Sequence, residues 1–253
     1  MLTKLVLNHR SANLSTEEHA VLRAAMTEVR EYGPKELVII AGHELDASLL
    51  LLEGFMGRFV DDPGDSRHMM AFHVAGDFVD LHGYPLKRLD HDVRTLTSAR
   101  AAVLPHEKLD VIQRQHPRLA LKLWYLTMLD AAMHRQWIIR IGRLRALGRV
   151  AHALCETNAR LFAVGLSDGV HFELPLRQVD FAAVCGLTGI HFNRVIRELR
   201  ERGLATFRHQ VVDIHDLPAL VQLGEFQADY LYLNPDTAKR VMGQSLARGG
   251  MPA

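Results

Sequence analysis

Between residues 188 and 210 stand five arginines, Arg194, Arg197, Arg200, Arg202 and Arg208, against two acids, Glu198 and Glu201. The 253-residue chain has a formal net charge of only +1, so this excess belongs to one local face. A guanidinium is planar, permanently charged and rich in N–H donors. It suits phosphate oxygens, and it matches the O6 and N7 acceptors on the guanine edge. A basic face on a nearly neutral protein fits a docking surface for phosphates. The competing reading is a solvated helix surface in which Arg197 and Arg200 balance Glu198 and Glu201.

The segment that must position these arginines is residues 174–216, LPLRQVDFAAVCGLTGIHFNRVIRELRERGLATFRHQVVDIHD. It has the layout of a helix-turn-helix followed by a two-stranded β-wing. Two short helices that cross steeply need a small residue at the crossing, and Ala182 supplies it. Four residues on, the turn needs a residue that tolerates positive φ, and Gly186 supplies that. Phe181, Cys185, Leu187, Phe192 and Val195 fall where the two helices share a core. Thr188 is a good N-cap for the second helix, and Gly203 ends it. Residues 204–207 and 211–214 are short β-prone runs around Arg208-His209-Gln210, which suits a tight basic hairpin.

Other chemistry is poorly supported. Of the fifteen histidines, His43-Glu44 and His106-Glu107 begin a zinc-protease-like pattern but lack its second histidine. Cys155 and Cys185 are too few for a disulfide scaffold or a four-cysteine cluster. Neither a catalytic constellation nor a metal site is expected, and no cofactor is implied. Hydrophobic content of 48% and charged content of 23% are those of a globular domain protein. No apolar run approaches the ~18 residues of a membrane span, and the N-terminus lacks a signal-peptide core. The expected location is the cytoplasm, with no membrane partner.

Residues 1–35 read as helical, with a capping start at Ser15-Thr16-Glu17-Glu18 and a stop at Gly33-Pro34. Short β-prone runs follow at 37–40, 49–52, 55–60, 69–74, 94–96 and 101–104. A hairpin turn is expected at 61–65, and the spacing predicts a small antiparallel barrel or sandwich. A short helix is expected at 106–115. Pro117 then opens a long one, and residues 117–141 would span about 38 Å at helical rise. Leu119, Leu123, Leu126, Met133, Trp137 and Ile141 recur along it at helical spacing. Such a stripe is either core or the seam of a dimer, and its place between a β domain and a basic domain favours the seam. Further helices are expected at 146–162, at 216–223 and, capped by Asn234-Pro235, up to 242. The last residues, ARGGMPA, are expected to be loose.

This order of parts, with Gly76-Asp77-Phe78 near the end of a β run and GLTGIHFNRVIRELRERGL in the basic segment, resembles the Crp/Fnr family of bacterial transcription regulators. The resemblance spans roughly residues 30–226. It implies an α+β fold: an N-terminal β-roll of the cyclic-nucleotide-binding jelly-roll type, a long dimerisation helix and a C-terminal winged helix-turn-helix. The boundaries it gives are 1–116 for the sensor, 117–142 for the helix, 143–226 for the DNA-binding domain and 227–253 for a tail. It implies a homodimer on palindromic double-stranded DNA, with RNA polymerase as a candidate further partner.

Carried over position by position, Arg194 matches the family's base-reading arginine. Four residues earlier many members have a glutamate. Here the position is Ile190, which can touch a thymine methyl but cannot accept a hydrogen bond. His191 and Asn193 are polar neighbours on the same turn. Thr188 and Gln178 align with phosphate-contacting positions, and Arg197 and Arg208 complete the DNA-contacting set. Cyclic-nucleotide-binding members hold the ribose with a glutamate and the phosphate with an Arg-Ser or Arg-Thr pair. An ungapped alignment from Gly76-Asp77-Phe78 puts Leu81 at the first position and His91-Asp92 at the second. A carboxylate is electrostatically wrong at a phosphate subsite, so no response to cyclic AMP is expected. Arg88 and Arg94 could serve only after a register shift. Two other classes compete with the regulator: a metal-dependent enzyme using the His/Asp-rich segment 82–92, and a protein-interaction module whose wing docks a partner.

Overall fold

The computed structural model describes residues 13–61 and 67–244. Helix α1 (Thr16–Ala25) starts at a reciprocal cap: Glu18 N–H donates to Ser15 Oγ at 3.1 Å, and Ser15 N–H to the Glu18 carboxylate at 2.7 Å. The helix expected over residues 1–35 is shorter than that. Residues 1–12 lie outside the described residues. Glu28–Tyr32 form strand β1, paired with β7 (Ala99–Pro105) from Glu28↔Val103 to Tyr32↔Ala99. That non-local ladder outweighs the local helical spacing of Val29 with α1.

The N-terminal domain, expected to be the sensor, is two antiparallel sheets. One has the order β1-β7-β3, with β3 at Ala47–Glu53. The other has the order β2-β6-β4-β5, with β2 at Leu37–Ile39, β4 at Met56–Asp61, β5 at Arg67–His73 and β6 at Asp92–Thr95. Between them Leu49, Leu51, Met56, Val79, Val93, Ala101 and Val103 form one buried cluster. The turn expected at 61–65 falls almost wholly outside the described residues, and the flanking strands pair up to Asp61↔Arg67. A short helix α2 (Gly83–Leu86) interrupts the link from β5 to β6.

Helix α3 (His106–Gln115) leads through Pro117, at the N1/N2 position where its missing N–H costs nothing, into the long helix α4 (Pro117–Arg143). The apolar stripe read as a dimer seam turns inward instead. Leu119, Leu123, Leu126 and Leu129 are buried against Leu50, Phe78, Leu81 and Leu104 of the sensor domain. Trp137 is buried beside Phe72, with ring centroids 6.1 Å apart, and Met133 packs on the same cluster. Ile141 is 38% exposed and lies against Gly186. The stripe's partner is the chain's own N-terminal β domain and the start of its C-terminal domain.

Helix α5 (Ala146–Ala163) is almost wholly buried and carries the C-terminal domain. Around it lie β8 (His171–Glu173), α6 (Gln178–Val184), α7 (Gly189–Glu201), β9 (Ala205–Arg208), β10 (Val211–Ile214) and α8 (Leu217–Leu223). The wing is three-stranded, in the order β8-β10-β9, because β8 adds a third strand to the expected pair. Gly186 takes φ +63° in the turn between α6 and α7. His209 and Gln210 both take positive φ, a two-residue hairpin geometry that matches strand twist. The C-terminal segment folds back: a 3-10 turn (Asp229–Leu231) and helix α9 (Pro235–Val241) bury Phe226, Leu231, Leu233 and Val241. The terminal ARGGMPA lies outside the described residues.

Candidate DNA interface and sensor cavity

Helix α7 has two opposed faces. Phe192, Val195 and Leu199, at spacings of three and four, are buried. Phe181, Phe192 and Phe207 meet edge to face, with centroids 5.9–6.5 Å apart, and so lock α6, α7 and the wing into one unit. Thr188 caps the helix, its hydroxyl accepting from the His191 N–H at 3.3 Å. The opposite face presents Ile190, Asn193, Arg194 and Arg197, all exposed, with His191 beside them. Ile190 is 73% exposed, an apolar side chain among polar ones on this face.

Among the described residues Arg194, Arg197, Arg200 and Arg208 form no ion pair, whereas Arg202 pairs with Glu198 and Arg177 with Asp180. These four guanidiniums are thus not offset by a neighbouring carboxylate, as those of Arg202 and Arg177 are. A groove of about 180 Å3 between α7 and the wing is lined by Gln178, Asn193, Arg197, Arg200, Thr206 and Arg208. Gln178 spends its amide N–H on the Phe207 carbonyl at 2.9 Å, tying α6 to the wing. Of the eight side chains singled out for DNA, all but the half-buried Gln178 are exposed, and Thr188 also serves as the cap. Arg200 and Thr206, lining the groove, complete the surface. Arg200 was legible as a surface arginine. Thr206 becomes visible only when the wing folds against α7.

The other long surface is on α4. Leu121, Trp124, Met128 and Ile138 are 62%, 61%, 51% and 73% exposed. With Ala131 and Arg135 between them they step at three and four residues along the helix, the spacing of a coiled-coil seam. The sequence holds two such stripes on one helix, and the more apolar one is the internal one.

Between α4 and the sensor sheets lies a cavity of about 1170 Å3. Its wall includes Leu81, His82, Tyr84, His91, Leu109, Ile112, Leu123 and Trp124. Arg58 borders it but is committed: Nε and Nη2 donate to the Val79 carbonyl at 2.9 and 2.7 Å, and Nη1 to Asp130 at 2.6 Å. The rings of His82 and His91 stack at 5.5 Å, and His91 Nδ1 lies 2.7 Å from Asp90. Burial, with the nearby Arg58 charge, pulls His82 down to about 4, so its imidazole is neutral at pH 7. Asp92 does not line the cavity, contrary to the ungapped alignment. Its carboxylate accepts from Ala41 N–H at 3.0 Å and from Arg94 at 3.1 Å, which also occupies Arg94. Arg88 does not line the cavity either, whereas Arg135, exposed on α4, does line it and forms no ion pair among the described residues. Among the described residues no group of three His, Cys, Asp or Glu side chains is placed to hold a metal ion. Among them, too, no helix is long and apolar enough to cross a membrane.

Residues 148–223, which contain this helix-turn-helix and wing, match the family model of the Crp-like helix-turn-helix domain. The chain is a transcriptional regulator of the Crp/Fnr type. Among curated relatives, the regulator is 25% identical over 216 residues to the transcriptional activator protein FnrL of Cereibacter sphaeroides, covering 81% of this chain and 85% of that one. It is 28% identical over 191 residues to a probable transcriptional activator of Rhizobium leguminosarum, covering 73% and 77%. In fold it resembles FixK2 from Bradyrhizobium japonicum, with a TM-score of 0.71, 19% identity and coverage of 78% of this chain and 96% of that one. It also resembles the c-di-GMP-responsive regulator CLP of Xanthomonas campestris, with a TM-score of 0.60, 17% identity and coverage of 80% and 100%. The β-roll, long helix and winged domain of this Crp/Fnr-type chain are thus a shared architecture.

Proposed function

We propose that the regulator acts as a homodimer that reads an inverted repeat in cytoplasmic double-stranded DNA, and that it has no enzymatic role. The observation that carries this reading is the outward face of α7, where Arg194 stands exposed and unpaired between Ile190 and Arg197. A two-fold dimer places two such helices in successive major grooves, about 34 Å apart. Arg194 supplies the bidentate guanine contact, and Ile190 supplies an apolar contact suited to a thymine methyl. Arg197, Arg200 and Arg208 sit around the groove beside the wing and serve as phosphate ligands. The domain boundaries we assign are 1–116, 117–142, 143–226 and 227–253, with residues 227–244 of the last packed back on α4 and α5.

The dimer seam we assign is Leu121, Trp124, Met128 and Ile138, since Leu119, Leu123, Leu126 and Trp137 are consumed inside the protomer. The sensor cavity takes a ligand other than a cyclic nucleotide, because its buried arginine, Arg58, is saturated and the other arginine of its wall, Arg135, stands exposed to solvent. Electrophoretic binding to selected palindromes, at several salt concentrations, tests the reading. A steep salt dependence with sequence preference supports it, and salt-dependent binding without preference rejects base reading.

A further inference from the structure

The interface between the sensor and DNA-binding domains is a chain of buried ionisable groups. Arg160 of α5 donates to Asp77 at 2.7 Å and to the Phe72 carbonyl at 2.9 Å, both in the sensor domain. Its guanidinium lies 4.8 Å from the Phe72 ring centroid and 4.0 Å from Glu156, one helical turn away. Glu156 accepts from Trp137 Nε1 of α4 at 2.9 Å and from the Tyr230 hydroxyl at 2.6 Å. Asp77, Arg160, Glu156 and Tyr230 thus run from the sensor domain to the C-terminal segment as one connected path.

Burial works to raise the Asp77 and Glu156 carboxyls. The Arg160 charge overcomes it at Asp77, and the Arg140 and Arg160 charges overcome it at Glu156, so both stay ionised. Such a chain stabilises only when complete, because removing one member leaves an uncompensated charge in an apolar interior.

The segment that closes this path lies beyond residues 148–223, which define the shared DNA-binding domain. It also touches α4 at two further points. Glu225 pairs with Arg143 in the last turn of α4. The Tyr232 ring meets Tyr125 edge to face at 5.9 Å. His152 of α5 adds contacts to the Gly224 carbonyl at 3.0 Å and to Tyr230 at 3.3 Å. The segment spans α4 and α5 on either side of the short junction at Leu144 and Arg145, the one place where backbone could turn between them.

We propose that residues 225–242 form a strap across the α4–α5 junction, and that the Asp77–Arg160–Glu156–Tyr230 chain is a single clasp holding the DNA-binding domain in one orientation against the sensor domain. Opening any member frees the domain to turn about the junction. Asp77 lies only four residues before Leu81 in the sensor-cavity wall, so a change in that wall has a short path to the clasp.

The test uses full-length protein and limited trypsin digestion under native conditions, reading cleavage after Arg143 and Arg145. Asp77→Asn and Tyr230→Phe should each speed cleavage at the junction on the order of tenfold, as expected if the opened population rises. The double variant should be no faster than the quicker single one, because both break the same unit. Cleavage inside the sensor domain should stay at the wild-type rate. Tyr232→Ala, at a half-exposed ring, covers the case in which a buried variant fails to fold, and it should speed junction cleavage several-fold. Unchanged junction cleavage in folded Tyr232→Ala, or effects of Asp77→Asn and Tyr230→Phe that multiply, would overturn the proposal.

Discussion

Arg194 is the residue on which sequence preference should turn. Its side chain is exposed, unpaired and on the outward face of α7. Arg194→Ala should relax selection at one guanine per half-site, costing about 1–3 kcal/mol there. Arg208→Ala at the wing should weaken all sequences alike and flatten the salt dependence by about one ion. Binding assays on operator variants separate the two outcomes.

A second expectation at this scale concerns pH. His73 and His82 are both pulled down to about 4, by burial first and the Arg58 charge second. The unfolded chain then binds protons below about pH 6.5 that the fold refuses, so acidification from 6.5 to 4 costs stability. Asp80 has the opposite sign. Burial raises it to about 7, against the hydrogen bond from Leu49 N–H. Its contribution is complete below the ordinary aspartate range and fades as pH climbs to about 7. Asp80→Asn should therefore show a steeper fall in stability from pH 7 to 4 than wild type, by urea denaturation at each pH. Parallel curves would refute the assignment of a buried neutral Asp80.

Helix α4 is the element whose two faces must be told apart. Trp124→Asp with Met128→Asp places like charges across the proposed two-fold seam, and should give a folded monomer by sedimentation. Leu126→Asp buries a charge among Leu50, Phe78 and Leu104, and should unfold the sensor domain instead. A dimer that survives the first pair of changes would place the seam elsewhere.

The same helix shows what could be read before folding. Its length was legible because Pro117 fixes the start and no breaker follows for 24 residues. Its orientation was not, because Leu119–Leu123–Leu126 and Leu121–Trp124–Met128 both step by threes and fours. Only the sensor domain packed against one of them decides which is free. The helix-turn-helix was legible almost residue by residue, since Ala182, Gly186, Thr188 and Gly203 each answer a local steric or capping demand. The last helix was legible from its Asn234-Pro235 cap, but strand β8 and the docking of residues 225–242 were not, because both are set by distant partners, β10 and α4. In the sensor cavity Leu81 fell where expected, but Asp92 did not, since Ala41 and Arg94 hold it on another side.

At the scale of the whole molecule, the cavity, the proposed dimer seam and the proposed DNA-reading face lie along one chain and meet through α4. Cyclic AMP and cyclic GMP should leave operator affinity unchanged, because Arg58, the buried cation of the cavity wall, is bound to Val79 and Asp130, and Arg135, the other arginine of the wall, is exposed to solvent. Calorimetric titration paired with operator binding checks this, and micromolar nucleotide binding that alters operator affinity would contradict it. The central claim is a two-fold dimer that reads DNA through α7. Selection of bound sites from random double-stranded DNA tests it most directly. Such a dimer should enrich an inverted repeat whose half-sites lie one helical turn apart, about 34 Å, with Arg194→Ala losing selection at one position of each half. Enrichment of no sequence, or of an asymmetric single site unaffected by Arg194→Ala, would contradict it.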